Sequence, residues 1–318
     1  MKRASGFGAR ARLGVVVTAL AALAACGGGG GGGGGVDLID LSTANRDSVA
    51  HAAAASLVAL GASNSIPVLG GPGGVALMRN LASVARERAM GLITFPPEPC
   101  AVSGQTRSTL DDLNGNLQLD FGEPVTVVFE ACQDDAYNVL NGTAVVTITG
   151  GNATSFSATM SMSSLSQAAT NGRHSMTLDG SLALDCTQLS GTSIRCTSTA
   201  STPVRTQLST HLFTDTATLQ PGFVEDATYD DATGHTMSTV RGTIDSTAAG
   251  GAFSVSTDAA IGRLFADPYP HEGQLSVAGD RGTMLVAPQS AALVRIDLDS
   301  NDDGTFESSE LEDWDWVL

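Results

Sequence analysis

The sequence predicts a mainly β protein, an antiparallel meander, sandwich or open barrel preceded by a short helical segment. Three observations carry that prediction. From Pro96 onward Ser and Thr dominate, and apolar residues alternate with polar ones, the period of strands with one solvated face. Glycines punctuate these stretches at short spacing, as hairpins require. Helical periodicity is confined to the region before residue 95.

Taken in chain order, residues 1–25 read as an export signal. Lys2, Arg3, Arg10 and Arg12 give a positive start, and Leu13 to Leu23 form an apolar stretch too short to span a bilayer. Cys26 follows, and then nine consecutive glycines, Gly27 to Gly35. Such a run behaves as a flexible coil spanning roughly 15–18 Å. Residues 26–43 are therefore expected to be a tether, 44–95 a short helical segment and 96–318 the β domain. Within 44–60, Val49, Ala53, Leu57 and Leu60 share one helical face, with Ser42 or Thr43 placed to cap the start and Gly61 the end. Residues 75–90 repeat the pattern through Leu77, Leu81, Val84 and Arg88.

The alternating segments are 125–131, 143–150, 155–162, 181–186, 193–199, 204–213, 238–246, 253–257, 273–279, 283–287 and 292–298. A faint echo runs through them, in which Gly142, Gly180, Gly242 and Gly273 each stand third in a short phrase that leads into a strand. Its spacing is too irregular for a solenoid, and it is read here as glycine in the turns of repeated hairpins.

Without residues 1–25 the chain keeps 12 arginines, no lysine and 33 acidic residues, a formal charge of −21. That charge excludes nucleic-acid binding. The missing lysine excludes P-loop phosphate binding, Schiff-base chemistry and Ser-x-x-Lys nucleophiles. Four cysteines remain after Cys26. Cys186 and Cys196 flank a polar turn between alternating segments and are placed to bridge a hairpin, which leaves Cys100 and Cys132 as the second pair. No Cys/His spacing suggests zinc.

Two acidic loops have calcium-ligand spacing. In "DSNDDGTFESSE", Asp299, Asn301 and Asp303 take loop positions 1, 3 and 5, and Gly304 takes the sharp turn. Thr305 offers its carbonyl, Glu307 stands at position 9 and Glu310 at the bidentate position 12. Calcium wants six to eight oxygens at about 2.3–2.6 Å, which alternating carboxyl and amide groups on a tight loop supply. In "DLNGNLQLDFGE", Asp112, Asn114, Asn116, Gln118, Asp120 and Glu123 hold the corresponding positions, but Leu117 stands where glycine is expected. The segment before Asp299 alternates as a strand, and after Glu310 there is room only for a short helical turn. A calcium ion there is expected to act as a rigid clip, letting Trp314, Trp316 and Leu318 dock on the sheet.

"LAAC", Leu23 to Cys26, resembles the lipobox of bacterial lipoproteins. That resemblance implies cleavage before Cys26, acylation of Cys26 and stable membrane anchoring by two or three acyl chains. Gly27, in place of an aspartate, implies sorting to the outer membrane. Both acidic loops resemble those of EF-hand-like and dockerin-like bacterial proteins. Residues 100–148, from "CAVSG" through "LNGTAVVTI", look like a segment of uncharacterised proteobacterial lipoproteins, a resemblance that implies placement and calcium but no activity.

Catalytic signals are sparse. His51, His174, His211, His235 and His271 form no HExxH or i, i+4 pair, and no nucleophile elbow exists. Glu225, Asp226, Asp230, Asp231 and His235 cluster in one stretch, as a third metal site or a carboxylate pair would. Tyr269 and His271 alternate with Pro268 and Pro270 and could line a ligand surface. The reading is a non-enzymatic outer-membrane lipoprotein, stabilised by calcium and disulfides, with an unidentified protein or glycan partner. A periplasmic lipid- or glycan-binding module and a metal-assisted hydrolase are the alternatives.

Overall fold

The computed structural model describes residues 36–64, 91–116, 119–133, 136–152, 154–210, 213–230, 232–264, 267 and 269–314. Residues 1–35, with Cys26 and the glycine run, and the second helical pattern at 75–90 lie outside these. The segment Val36–Leu318 forms a compact unit of its own.

Among the described residues one helix, α1 (Arg46–Asn64), precedes seventeen strands. In order they are β1 (Gly91–Thr94), β2 (Glu98–Pro99), β3 (Ser103–Asp112), β4 (Pro124–Gln133), β5 (Asn138–Gly151), β6 (Ser155–Ala169), β7 (His174–Gln188), β8 (Ser193–Ala200) and β9 (Val204–Thr210). Then follow β10 (Thr214–Leu219), β11 (Val224–Asp230), β12 (His235–Ser246), β13 (Gly251–Leu264), β14 (Glu272–Ala278), β15 (Thr283–Pro288), β16 (Leu293–Asp299) and β17 (Ser308–Asp313). The eleven expected strands all appear, most of them longer, because bulges let Gly and Ser stretches stay paired. The expected 204–213 segment ends at Thr210, and a separate strand begins at Thr214. The sequence signal missed β1, β2, β3, β10, β11 and β17, which are short or rich in Asp, Ser and Gln.

Every ladder is antiparallel, and from β3 to β7 each strand pairs with the next. At β7 the sheet divides. The C-terminal half of β7 pairs with β8 and the N-terminal half with β9. These continue as two tracks, β8 to β11 and β9 to β10, and both rejoin on β12. From β12 the meander runs on to β17. One contiguous core includes Leu110 on β3, Leu298 on β16 and the buried residues of α1. About a dozen strands at ~4.8 Å make more than 50 Å of sheet, whereas a helix of 19 residues is only ~28 Å long. The sheet therefore has to curl and cover its own apolar face.

Bulges aligned across neighbouring strands bend it. Ala131 and Ser164 have φ of 49°, and each interrupts the register of its strand. The Ala131 N–H donates to Asn141 Oδ1 (2.8 Å), and the Ser164 N–H donates to Asp179 Oδ1 (2.7 Å). Gly142, with φ of 107°, faces the Ser164 bulge so closely that a Cβ would strike its backbone. Gly180 likewise meets the Cα of Val204. Thus Leu140-Asn141-Gly142 and Leu178-Asp179-Gly180 each satisfy a bulge on one side and admit a close backbone on the other. Gly142, Gly180, Gly242 and Gly273 stand within strands, not in turns. The echo marks bends, because added residues increase local twist and curvature.

α1 is buried all round from Val49 to Ser56, and alanine supplies five of these eight positions. That differs from the expected one-sided helix, and it runs through Gly61 to Asn64. A helix buried on every side needs small residues wherever backbone approaches closely. Its start is held by Ser42 and Asn45, whose Oδ1 accepts the Ser42 N–H at 2.9 Å, an arrangement like a capping box. Both expected disulfides are present. Cys186 and Cys196 face each other across β7 and β8, and Cys100 joins Cys132. Each contributes about 3–4 kcal/mol in the loop-entropy treatment.

Candidate metal centre

Asp299 ends β16 and β17 starts at Ser308, so the C-terminal acidic loop is the tip of a β-hairpin. Its side chains organise its own backbone. Asp299 accepts the N–H of Asn301 (3.3 Å) and of Gly304 (2.8 Å), Asn301 Oδ1 accepts that of Asp303 (2.8 Å), and Asp303 Oδ1 that of Thr305 (2.8 Å). Glu307 Oε2 accepts the Ser300 N–H at 2.7 Å. One oxygen each from Asp299, Asp303 and Glu307 lie within 4.8 Å of one another. With the Asn301 amide oxygen and the Thr305 carbonyl, this is a set of hard oxygen donors that suits calcium. Three convergent carboxylates also repel one another unless a cation lies between them.

Glu310 stands elsewhere. Leu298 pairs with Ser308 and Ile296 with Glu310, and residues directly opposite share a face. Continuing that register sets Glu307 opposite Asp299 and sends Glu310 to the other face of the strand, opposite Ile296, where it remains exposed. There its carboxylate forms an ion pair with Arg46 at the start of α1. The hydrogen bond from Arg46 lowers the Glu310 carboxyl below its usual range, and the same contact raises the guanidinium. The expected position-12 ligand is thus a helix anchor, because the loop leaves into a strand of period 2 rather than a helix. Asp302, unremarked in the sequence, has φ of 59° and accepts the Gly282 N–H at 2.9 Å, tying the tip to the preceding turn.

The loop at 112–123 is also a hairpin tip, between β3 and β4. Leu110 pairs with Val125, which sets Asp112 opposite Glu123, and both are buried. Glu123 accepts the N–H of Leu113 (3.0 Å) and of Asp120 (2.9 Å). Asp120 Oδ2 accepts from the side-chain amides of Asn114 (2.7 Å) and Asn116 (2.5 Å). Here side-chain amides meet the charge of Asp120, and the 4.8 Å convergence of the C-terminal carboxylates is not found for Asp112, Asp120 and Glu123. Positive φ falls on Gly115, at 74°. Leu117 and Gln118 lie outside the described residues.

The acidic stretch 225–235 is dispersed by strand alternation. Glu225 points into the core from β11, whereas Asp226 faces outward and pairs with Arg195. Burial, with a smaller push from Asp226, raises the Glu225 carboxyl from 4.5 to about 8. The buried Tyr229 phenol, four residues further along the same face, is pushed well up, again chiefly by burial. Asp230 caps the following turn by accepting the Ala232 N–H at 3.0 Å, and Asp231 lies outside the described residues. His235 instead meets His271 and Glu272.

Trp314 is buried, and its Nε1–H lies 3.0 Å from the Pro270 carbonyl and 3.2 Å from that of Ser290. It stacks near Tyr269, with ring centroids 5.9 Å apart, and so fixes the segment leading to His271. Trp316 and Leu318 lie outside the described residues. No family model, curated protein or solved structure matches this chain.

Proposed function

We propose that this protein is a lipid-anchored scaffold of the bacterial outer membrane, non-enzymatic, clipped by calcium at the 299–307 hairpin tip, and serving a structural or interaction role. The observation that carries the reading is the junction at residues 26–36. A lipobox-like cysteine and nine glycines lead to a compact unit that begins at Val36. A folded body preceded in sequence by a glycine run and an acylated cysteine has the organisation of a tethered envelope protein. The oxygen donors of Asp299, Asn301, Asp303, Thr305 and Glu307 support calcium, and two disulfides suit an oxidising compartment.

The alternatives have less support. A lipid- or glycan-binding module needs a hollow face, and the buried residues of α1 join the sheet's apolar core. A hydrolase built on 225–235 needs convergent acids, and Glu225 and Asp226 point to opposite faces. The test is expression of the full chain in a Gram-negative host with an alkyne-bearing fatty acid. The wild type should take up label and sediment with outer membrane, and Cys26→Ser should do neither. Equal labelling of both would remove the anchor from the account.

A further inference from the structure

Two stretches that look unrelated in the sequence meet at one end of strands β12, β13 and β14. His235 opens β12, Glu272 opens β14, and His271 immediately precedes it. Gly262 on β13 is the register partner of Glu272, and a Cβ there would collide with the Glu272 side chain. The His271 N–H is fixed to the Gly262 carbonyl at 2.9 Å. The missing side chain at Gly262 thus gives the Glu272 carboxylate its place over the sheet.

The geometry points to a binding site for one divalent transition-metal ion of the zinc class, held by His235, His271 and Glu272. Glu272 Oε1 lies 3.3 Å from His235 Nε2 and 3.8 Å from His271 Nε2. Two ligands at ~2.0–2.1 Å from a tetrahedral ion stand roughly 3.3–3.5 Å apart, so these separations are close to the edges of a coordination tetrahedron. Two imidazoles and one carboxylate are a donor set that zinc and its neighbours take, with a remaining position for water. His235 Nε2 is itself buried and makes no hydrogen bond of proper geometry, even to the nearby carboxylate. The two rings lie side by side at 20°, with centroids 5.7 Å apart, and each offers one ring nitrogen to the cluster with Glu272.

Asp267 completes the arrangement as a positioning residue. Its Oδ2 lies 3.1 Å from His271 Nδ1, a short but poorly aligned contact. A carboxylate at the far nitrogen of a ligating histidine fixes the tautomer that leaves Nε2 free. The site is distinct from the oxygen-only hairpin tip at 299–307, and it stands whether or not the anchoring and calcium reading holds.

The test uses the full-length protein in detergent, with millimolar calcium present throughout to fill oxygen-only sites, and zinc alone as the probe. Competition against a chromophoric chelator should give one zinc per chain. Affinity should fall at least about 100-fold in His235→Ala and in Glu272→Gln, and about 10–100-fold in Asp267→Asn. Cobalt(II) should give visible d–d bands that His271→Ala abolishes. Glu272 is half-exposed, so its variant keeps the fold, checked by an unchanged metal-free unfolding midpoint. Zinc bound no more tightly by the wild type than by the His235→Ala/His271→Ala double variant would overturn the proposal, as would a cobalt spectrum indifferent to all three residues.

Discussion

Replacing Glu225 with glutamine should stabilise the protein at pH 9 and change it little at pH 5. Glu225 is buried on the inner face of β11, and burial raises its carboxyl from 4.5 to about 8. The folded state therefore holds this proton through a range in which the unfolded chain has lost it. Stability from this group is fully present below about pH 4.5, declines as pH rises, and is gone above about pH 8. At ~1.4 kcal/mol for each unit between the two values, the loss by pH 9 is on the order of 4–5 kcal/mol. Glutamine keeps the shape and hydrogen-bonding capacity without ionising, at about 1 kcal/mol for altered hydrogen bonds. Variant minus wild type should then lie near zero at pH 5 and near +3 kcal/mol at pH 9. Urea unfolding at pH 5, 7 and 9 measures this, and the subtraction cancels carboxylates common to both proteins. A difference that stays flat with pH would refute the reasoning, because Glu225 would then ionise as readily folded as unfolded.

Two further outcomes follow from the hairpin tip and the bulges. With ~2 mM calcium and a dissociation constant of about 10⁻⁴ M, linkage gives about 1.8 kcal/mol, or roughly 4 °C in the melting temperature of a unit this large. Glu307→Gln should lose most of that rise while Glu310→Gln keeps it, and the opposite order in a thermal melt would restore the helix-type loop. Gly142→Ala should cost about 3 kcal/mol through positive φ and collision with the Ser164 backbone, against about 1 kcal/mol for Asp179→Ala. Urea midpoints that rank these two the other way would deny the bulge its role.

Strand alternation was legible wherever Val, Ile, Leu and Met marked one face, as in β4, β5 and β16. It was not legible in β3, where "SGQTRS" carries no apolar period until Leu110, nor in β17, where "SSELED" reads as a solvated tail. Those two strands are the partners that turn both acidic loops into hairpin tips. α1 was legible as a helix, but alanines could not say how many of its sides would be covered. The disulfides were legible because Cys186 and Cys196 stand in register around a short turn. The His235, His271 and Glu272 cluster was not, since it depends on β13 bringing Gly262 between residues 36 positions apart. One signal was present and undervalued: Leu-Asn-Gly and Leu-Asp-Gly recur because each satisfies a bulge on one side and admits a close backbone on the other.

The same register argument decides which acidic residues of this hairpin tip could share an ion. In a helix–loop–helix site the twelfth residue lies on an exiting helix that returns it to the ion, and a change in helix angle transmits binding. Here the exit is a strand, and alternation allows only one of Glu307 and Glu310 to share a side with Asp299. Glu307 takes it, and Glu310 is left to hold Arg46. The tip and the start of α1 are thus tied to adjacent parts of one short strand, with Asp302 fastening the tip to the turn at Gly282. An ion at Asp299, Asp303 and Glu307 would close a hairpin already fixed on both sides. With no helix pair to swing, its effect is to raise the cost of opening β17, and with it the anchorage of the buried helix. On the proposed reading, such an ion would act as a stable clip rather than as a sensor.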